Sequence, residues 1–295
     1  TKKKMINRRI RKMNRNGLTL TIVCEAESAN YGQGIDNFAQ LKKITRADGL
    51  VYSYISRQAV RYNIIQQMHC DNTPVEYQGV AQFAADSNIK DYPEIDLFGY
   101  MKTVKGGNQS TRSAVVRLSN AISLKPYASE TDFLTNMGIA RRAGFNNAIA
   151  QSEIHSSLYT YTIAVDLDRV GIDGDIAVDK EQRAARIKKL LDTIQFIYRD
   201  IKGRRENVSP VFAIGGLYER KNPYFENRIR MDDNNLDVEM INSVIQSSDD
   251  TRNNTHIGIL KGKFANDREI NKLLQPVSIS EMFAVLKKEV DEYYA

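Results

Sequence analysis

YSYISRQAVRYNI, residues 52–64, is the stretch from which the fold can be worked outward. Its period predicts a helix, with Ile55, Ala59, Tyr62 and Ile65 on one face and Ser56 as the natural N-cap before Arg57. A helix N-terminus carries about half a positive charge, so Arg57 and Arg61, one turn apart near that end, stand where cations are mildly unfavourable. Two readings are open. Either both arginines are solvated, or a phosphate joins the exposed N–H groups, the Ser56 hydroxyl and the guanidinium.

Upstream, GLTLTIVCEA (17–26) alternates Leu18, Leu20, Ile22 and Cys24 against Thr19, Thr21 and Val23, the pattern of a first strand. A loop rich in glycine and asparagine separates it from the helix. Downstream, residues 69–93 are polar and poorly periodic, which marks an insertion. IDLFGYMKTV (95–104) and RSAVVRLSNAISL (112–124) read as two strands joined by KGGNQST (105–111), whose paired glycines suit a hairpin. In the next block, from Lys125 to Glu153, neither helix nor strand dominates, although Phe133, Leu134 and Met137 form a short apolar ridge. A strand, HSSLYTYTIAVDL (155–167), follows. DKEQRAARIKKLLDTIQFIYRDI (179–201) is then the clearest helix, with Asp179 as N-cap, Gly203 as stop and a stripe through Ala184, Ile187, Leu190, Leu191, Ile194 and Ile197. VSPVFAIGGLY (208–218) is another strand, and Ser278 with Glu281 forms a capping box at the start of a final helix. Without the insertions the order is strand, helix, strand, strand, helix, strand. This is the βαββαβ order of a ferredoxin-like, RNA-recognition-motif fold, of class α+β.

The chain of 295 residues is long enough for one large core. Its two cysteines, Cys24 and Cys70, exclude a disulfide framework, and no apolar run is long enough to span a bilayer. These features predict a cytoplasmic protein that does not enter membranes. The net charge of +6 is concentrated at one end: residues 1–16 form a basic arm with eight Lys and Arg and no acid. The remainder holds 34 basic and 36 acidic residues, so nucleic-acid binding by the body needs local patches. One such patch is Lys42, Lys43, Arg46, Arg57 and Arg61, which share the segment 41–67 with a single acid, Asp48. Residues 100–145 hold seven basic residues against Glu130 and Asp132, while 232–250 holds six acids and no base. Surfaces of opposite sign on two copies favour head-to-tail contacts, and solvated loops are the plainer account.

Familiar catalytic patterns are missing. His69, His155 and His256 are far apart and have no zinc-ligand spacing. DLDRVG opens like a calcium loop but puts Val170 and Ala177 at ligand positions, and KGGNQST lacks the Lys-Ser or Lys-Thr of a P-loop. No cofactor and no metal are expected. Asp36, in the loop after the first strand, is the one acid suited to metal-assisted phosphodiester cleavage, although such residues are far more often turn formers.

LTLTIVCEAESANYGQG, LKKITRADGLVYSYISRQAVRYNI, EIDLFGYM, VVRLSNAISLKPY and FAIGGLY, in this order, resemble the CRISPR-associated backbone subunit of type I-B Cascade, the DevR autoregulator-like branch of the RAMP superfamily. The resemblance runs from about Gly17 to the final helix. It implies a single RNA-recognition-motif-like domain over 17–295, with a finger insertion at about 69–111 and a thumb at about 125–154. It also implies a non-catalytic subunit whose copies line up head to tail along a CRISPR RNA, beside other Cascade subunits, and present the guide to a target DNA strand. Backbone recognition of this kind calls for Lys, Arg, Ser and Gln, here Lys42, Lys43, Arg46, Ser56, Arg57, Gln58 and Arg61. The resemblance carries RNA contact further, to Asn30 and Tyr31, to Arg112 and Arg117, and to Phe133 and Met137 of the thumb. Arg141 and Arg142 would touch RNA or a neighbouring copy. Two other classes stay open: a target-RNA endonuclease using Asp36, and a DNA-binding regulator using the arm.

Overall fold

The computed structural model describes residues 15–32, 34, 37–77, 79–103 and 108–295. Asp36, residues 1–14 of the basic arm and the glycine pair of KGGNQST lie outside the described residues. In chain order the elements used below are β1 (Gly17–Ala26), β2 (Phe38–Ala39), β3 (Lys43–Thr45), β4 (Val51–Ile55), α1 (Arg57–Gln67), α2 (Pro93–Phe98), β5 (Val116–Leu118), β6 (Ala121–Ser123), β7 (Glu130–Thr135), α3 (Met137–Ala143), β8 (Ile149–Ile154) and β9 (Ser157–Asp166). They continue with α4 (Lys180–Gln195), β10 (Pro210–Tyr218), α5 (Val238–Gln246), α6 (Asp249–Asn254), β11 (His256–Ile259), α7 (Asp267–Leu274), β12 (Val277–Ser278) and α8 (Ile279–Tyr294).

The main sheet runs β12-β11-β10-β1-β9-β6-β4-β3, and β5 also pairs with β9. Its centre, β10-β1-β9-β6, has antiparallel neighbours throughout. With α1 and α4 as the two crossovers, the fold is mixed α+β. β1 lies between two full-length partners, with Leu18 opposite Val165 of β9 and Leu217 of β10, and all of its residues but Glu25 are buried. Gly215 and Gly216 occupy β10 because a Cβ at either would overlap backbone carbonyls, Thr19 O of β1 and Asn254 O at the end of α6.

One face of the sheet carries α1, α4 and α8. Leu18, Leu20, Ile22 and Cys24 of β1 and Tyr159, Tyr161, Ile163 and Val165 of β9 meet Ile64, Ile187, Leu190, Phe283 and Leu286 in one core. Each such aliphatic side chain contributes about 1.5–3 kcal/mol when fully buried. Asp179 caps α4 by accepting the Gln182 N–H, and Ser278 with Glu281 makes the capping box of α8, both as expected. The opposite face is covered only toward β10 and β11. There Phe225, Ile229, Leu236, Ile241, Ile257 and Ile270 bury Phe212 and Ile214 in a second cluster. Over the middle of β9, β6 and β4 that face is uncovered and carries Tyr54, Ile122, Thr160 and Thr162.

Several expectations are corrected. The buried face of α1 is Val60, Ile64 and Ile65, whereas Tyr62 is 63% exposed; the contact with the sheet follows the i, i+4 row from Val60 through Ile64 to Met68. IDLFGYMKTV is not a core strand. Pro93 opens the short helix α2, Gly99 (φ 73°) ends it, and Tyr100–Thr103 pairs with Gln109–Arg112 in a hairpin outside the main sheet. The second core strand is therefore the later run, broken by Ser119 and Asn120 into β5 and β6. α4 stops at Gln195, and Gly203 (φ 76°) turns a hairpin of Tyr198–Ile201 with Arg204–Asn207 instead. The block 125–154 is ordered: β7 and β8 pair as a hairpin with α3 at its tip, and β8 pairs in parallel with β2. Arg15 belongs to the fold rather than to a free arm, since its Nη1 donates to Asn254 Oδ1 at 3.0 Å and it is 8% exposed. No helix among the described residues is long and apolar enough to cross a membrane.

Candidate nucleic-acid interface

On the uncovered polar face lies a groove of about 610 Å³. Its floor is Ile122, Thr160 and Thr162, with Ser119 and Asn120 from the break between β5 and β6. Tyr54, Ser56, Arg57 and Gln58 make one wall, Lys42 and Arg46 the rim, and Glu226 and Asn227 the far side. Three cations against one carboxylate, with hydroxyls and amides between them, suit a phosphodiester backbone. A hollow of about 760 Å³ on the helical side is larger, but Asp71, Asp192 and Asp200 line it against Lys189, a balance that repels phosphate.

The end of α1 is closed more fully than its sequence suggests. The Asn30 side-chain oxygen accepts both the Ser56 hydroxyl (2.6 Å) and the Ser56 N–H (3.3 Å). Asn120 Oδ1 accepts the Arg57 N–H at 2.9 Å, and Ser56 Oγ accepts the Ala59 N–H at 3.3 Å. Three of the four N–H groups that a helix start leaves open are thus taken by side chains, and Ser56 itself is 6% exposed. This corrects the expectation of a phosphate cradled by N–H groups and the Ser56 hydroxyl. Attraction for an anion rests instead on the Arg57, Lys42 and Arg46 side chains and on the Gln58 amide.

The other expected residues divide clearly. Lys42 faces the groove, whereas Lys43, its neighbour, points the opposite way and binds both Glu153 oxygens at 2.8 Å, over the Tyr127 ring. Strand alternation separates them. Arg46 packs over the Tyr52 ring and donates to Asn227 Oδ1 at 3.3 Å, reaching across to the far side. Arg61 leaves the site: it lies 5.2 Å over the Phe98 ring, where burial lowers its pKa and Glu94 partly offsets that effect. Arg112 is 6% exposed. Its guanidinium binds Asp96 (2.7 Å) and the Ile172 and Arg169 carbonyls, and Arg186 meets the other Asp96 oxygen at 2.6 Å. Arg112 is therefore structural. Arg117 pairs with Asp166 at 2.9 Å, a hydrogen bond that raises the arginine pKa, and it lies outside the groove lining.

Asn30 and Tyr31 stand behind the wall rather than in the groove. The Tyr31 hydroxyl donates to the Glu153 carbonyl at 3.0 Å, and Lys202 covers its ring. Phe133 (60% exposed) and Met137 (49%) sit on the excursion of β7, α3 and β8, with Arg141 reaching toward the Met137 sulfur and Arg142 in solvent. None of these four lines the groove. Sequence reading missed Asn120, Ser119, Thr160, Thr162 and Asn227 as groove residues. The signal available for Asn120 was a polar pair, Ser119-Asn120, interrupting a strand-like run.

The fold has counterparts. Two solved structures share the fold across nearly their full lengths. One is titled "CRISPR RNA-guided surveillance complex, pre-nicking", with a TM-score of 0.61, 9% identity, and 92% of this chain and 100% of that chain covered. The other, "CRISPR RNA-guided surveillance complex", gives a TM-score of 0.57 and 13% identity, with 91% and 99% covered. No curated protein matches the chain. A model of the family described as "CRISPR-associated negative auto-regulator DevR/Csa2" matches residues 18–239, and the chain belongs to that DevR/Csa2 family.

Proposed function

We propose that this protein is a non-catalytic CRISPR RNA-binding backbone subunit of a type I-B Cascade complex, with copies head to tail along the guide and the guide bases presented to target DNA. The observation that carries the reading is the composition of the groove: Lys42, Arg46 and Arg57 surround a floor of hydroxyls and amides. Such a lining recognises phosphate and ribose and leaves sequence reading to base pairing. The fold shared with chains of CRISPR RNA-guided surveillance complexes supports the same reading.

The test is the salt dependence of binding to single-stranded RNA. Each groove cation that neutralises a phosphate contributes about −0.7 to the slope of log K against log salt. Arg57→Ala, Lys42→Ala and Arg46→Ala are each expected to weaken binding and to flatten the slope by about 0.7. Arg61→Ala, which lies off the groove, is expected to leave the slope unchanged. An unchanged slope in all three groove variants would reject the site. The family's description as an auto-regulator favours one second reading, duplex DNA binding. Tighter binding of the same variants' parent to duplex than to single-stranded RNA, lost on removal of residues 1–14, would favour it.

A further inference from the structure

We propose that Glu153 is a positioning residue that holds the 125–154 excursion in a fixed place relative to the groove, and so sets where the excursion stands against a bound backbone. The inference rests on the groove reading above. Glu153 lies near the end of β8, is 6% exposed, and each of its three oxygens accepts at least one hydrogen bond. Its carboxylate accepts the Leu41 N–H at 2.8 Å and the Lys43 ammonium at 2.8 Å to each oxygen, while its carbonyl accepts the Tyr31 hydroxyl. Lys43 in turn lies 4.6 Å from the centre of the Tyr127 ring, at the other root of the excursion. One carboxylate therefore joins both roots to the segment 41–43.

From that segment the connection runs directly to the groove wall. The Lys42 N–H donates to Asn30 O at 2.7 Å, the Tyr54 N–H donates to Lys42 O at 3.0 Å, and the Asn30 side chain holds Ser56. Beside Glu153, the Gln151 N–H donates to Asn37 O at 2.8 Å as β8 pairs with β2. Farther out the excursion has little to orient it: β7 is exposed along its whole length and α3 buries only Ala140. Its direction is set at the root. Loss of the carboxylate leaves the Leu41 N–H unpaired, while Lys43, 28% exposed, can turn to water. The root then loosens without exposing the core.

The experiment compares Glu153→Ala and Glu153→Gln in the full chain, with hydrogen exchange on RNA-free protein and nuclease protection on RNA. In Glu153→Ala the Leu41 and Gln151 amides are expected to exchange about tenfold faster, the effect of losing one charged hydrogen bond, while β1 amides keep their protection. Glu153→Gln, which retains an acceptor for Leu41, is expected to fall between. A short RNA that fills only the groove should bind all three proteins alike, whereas the periodic protection of a long RNA should blur in Glu153→Ala and recover in Glu153→Gln. Wild-type exchange at Leu41 and Gln151, or a wild-type protection ladder in Glu153→Ala, overturns the proposal. So does an equal loss of protection in β1, which would make Glu153 a general stabiliser. Absence of any ladder with the wild-type protein would reject the groove reading instead, and the exchange data would still decide the role of Glu153.

Discussion

Lys42 and Lys43 show how much one residue of register decides. They have the same chemistry, but one lines the groove and the other neutralises a buried carboxylate. Arg117 is lost to the groove for another reason: its register partner Ala164 is on the groove side of β9, but the Arg117 guanidinium is held by Asp166. Arg112 illustrates a different kind of capture. Asp96 is fully buried and holds Arg112 and Arg186, while the Gly171 N–H donates to both of its oxygens. Removing that one charge takes from two buried guanidiniums the carboxylate they share, so Asp96→Asn is expected to cost about 3 kcal/mol in denaturant unfolding. Arg117→Ala, at a half-exposed pair, is expected to cost no more than about 1 kcal/mol in the same measurement. Basic residues could be counted in the sequence. Which of them has an internal acid could not, because Asp96 and Arg186 are 90 positions apart.

At the scale of elements, local chemistry was the better guide wherever a cap or a stripe was complete. Ser278 and Glu281 hold each other's backbone at the start of α8, whose Met282, Phe283 and Leu286 are fully buried. Ser278→Ala is accordingly expected to lower thermal stability by about 1 kcal/mol, and Ser280→Ala, next along but outside the box, by less. Both α4 and α8 were legible for this reason. α1 was legible as a helix but not in its orientation, since Ala59–Tyr62 and Val60–Ile64 are equally plausible stripes until the sheet selects one. The apolar run around Leu97 and Phe98 read as a strand because five residues cannot distinguish a buried strand from a buried helical turn. Pro93 and the positive φ of Gly99 made it α2. The excursion was hardest to read. Its elements are exposed, so burial leaves no period in their sequence.

For the whole molecule, one face of the sheet is closed by three helices and the other only half closed by the residues after β10. The groove is the uncovered half. The core around it isolates both thiols: burial pushes Cys24 up to about 12 and Cys70 up to about 11. At about pH 8 both are therefore expected to react with a thiol reagent only as fast as the fold opens, and at once in denaturant. Rapid labelling of Cys24 in the native protein would mean that β1 is not at the centre of the sheet. The sequence by itself determined the α+β class, the central strands β1, β9 and β10 and the N-caps of α1, α4 and α8, because alternation, helical stripes and capping residues act within a few positions of one another. Only the tertiary structure decided which cations stay free to meet a ligand. Charges such as Arg61, Arg112 and Lys43 are withdrawn by partners distant in the chain or on another element, and those partners meet only once the sheet and helices have packed.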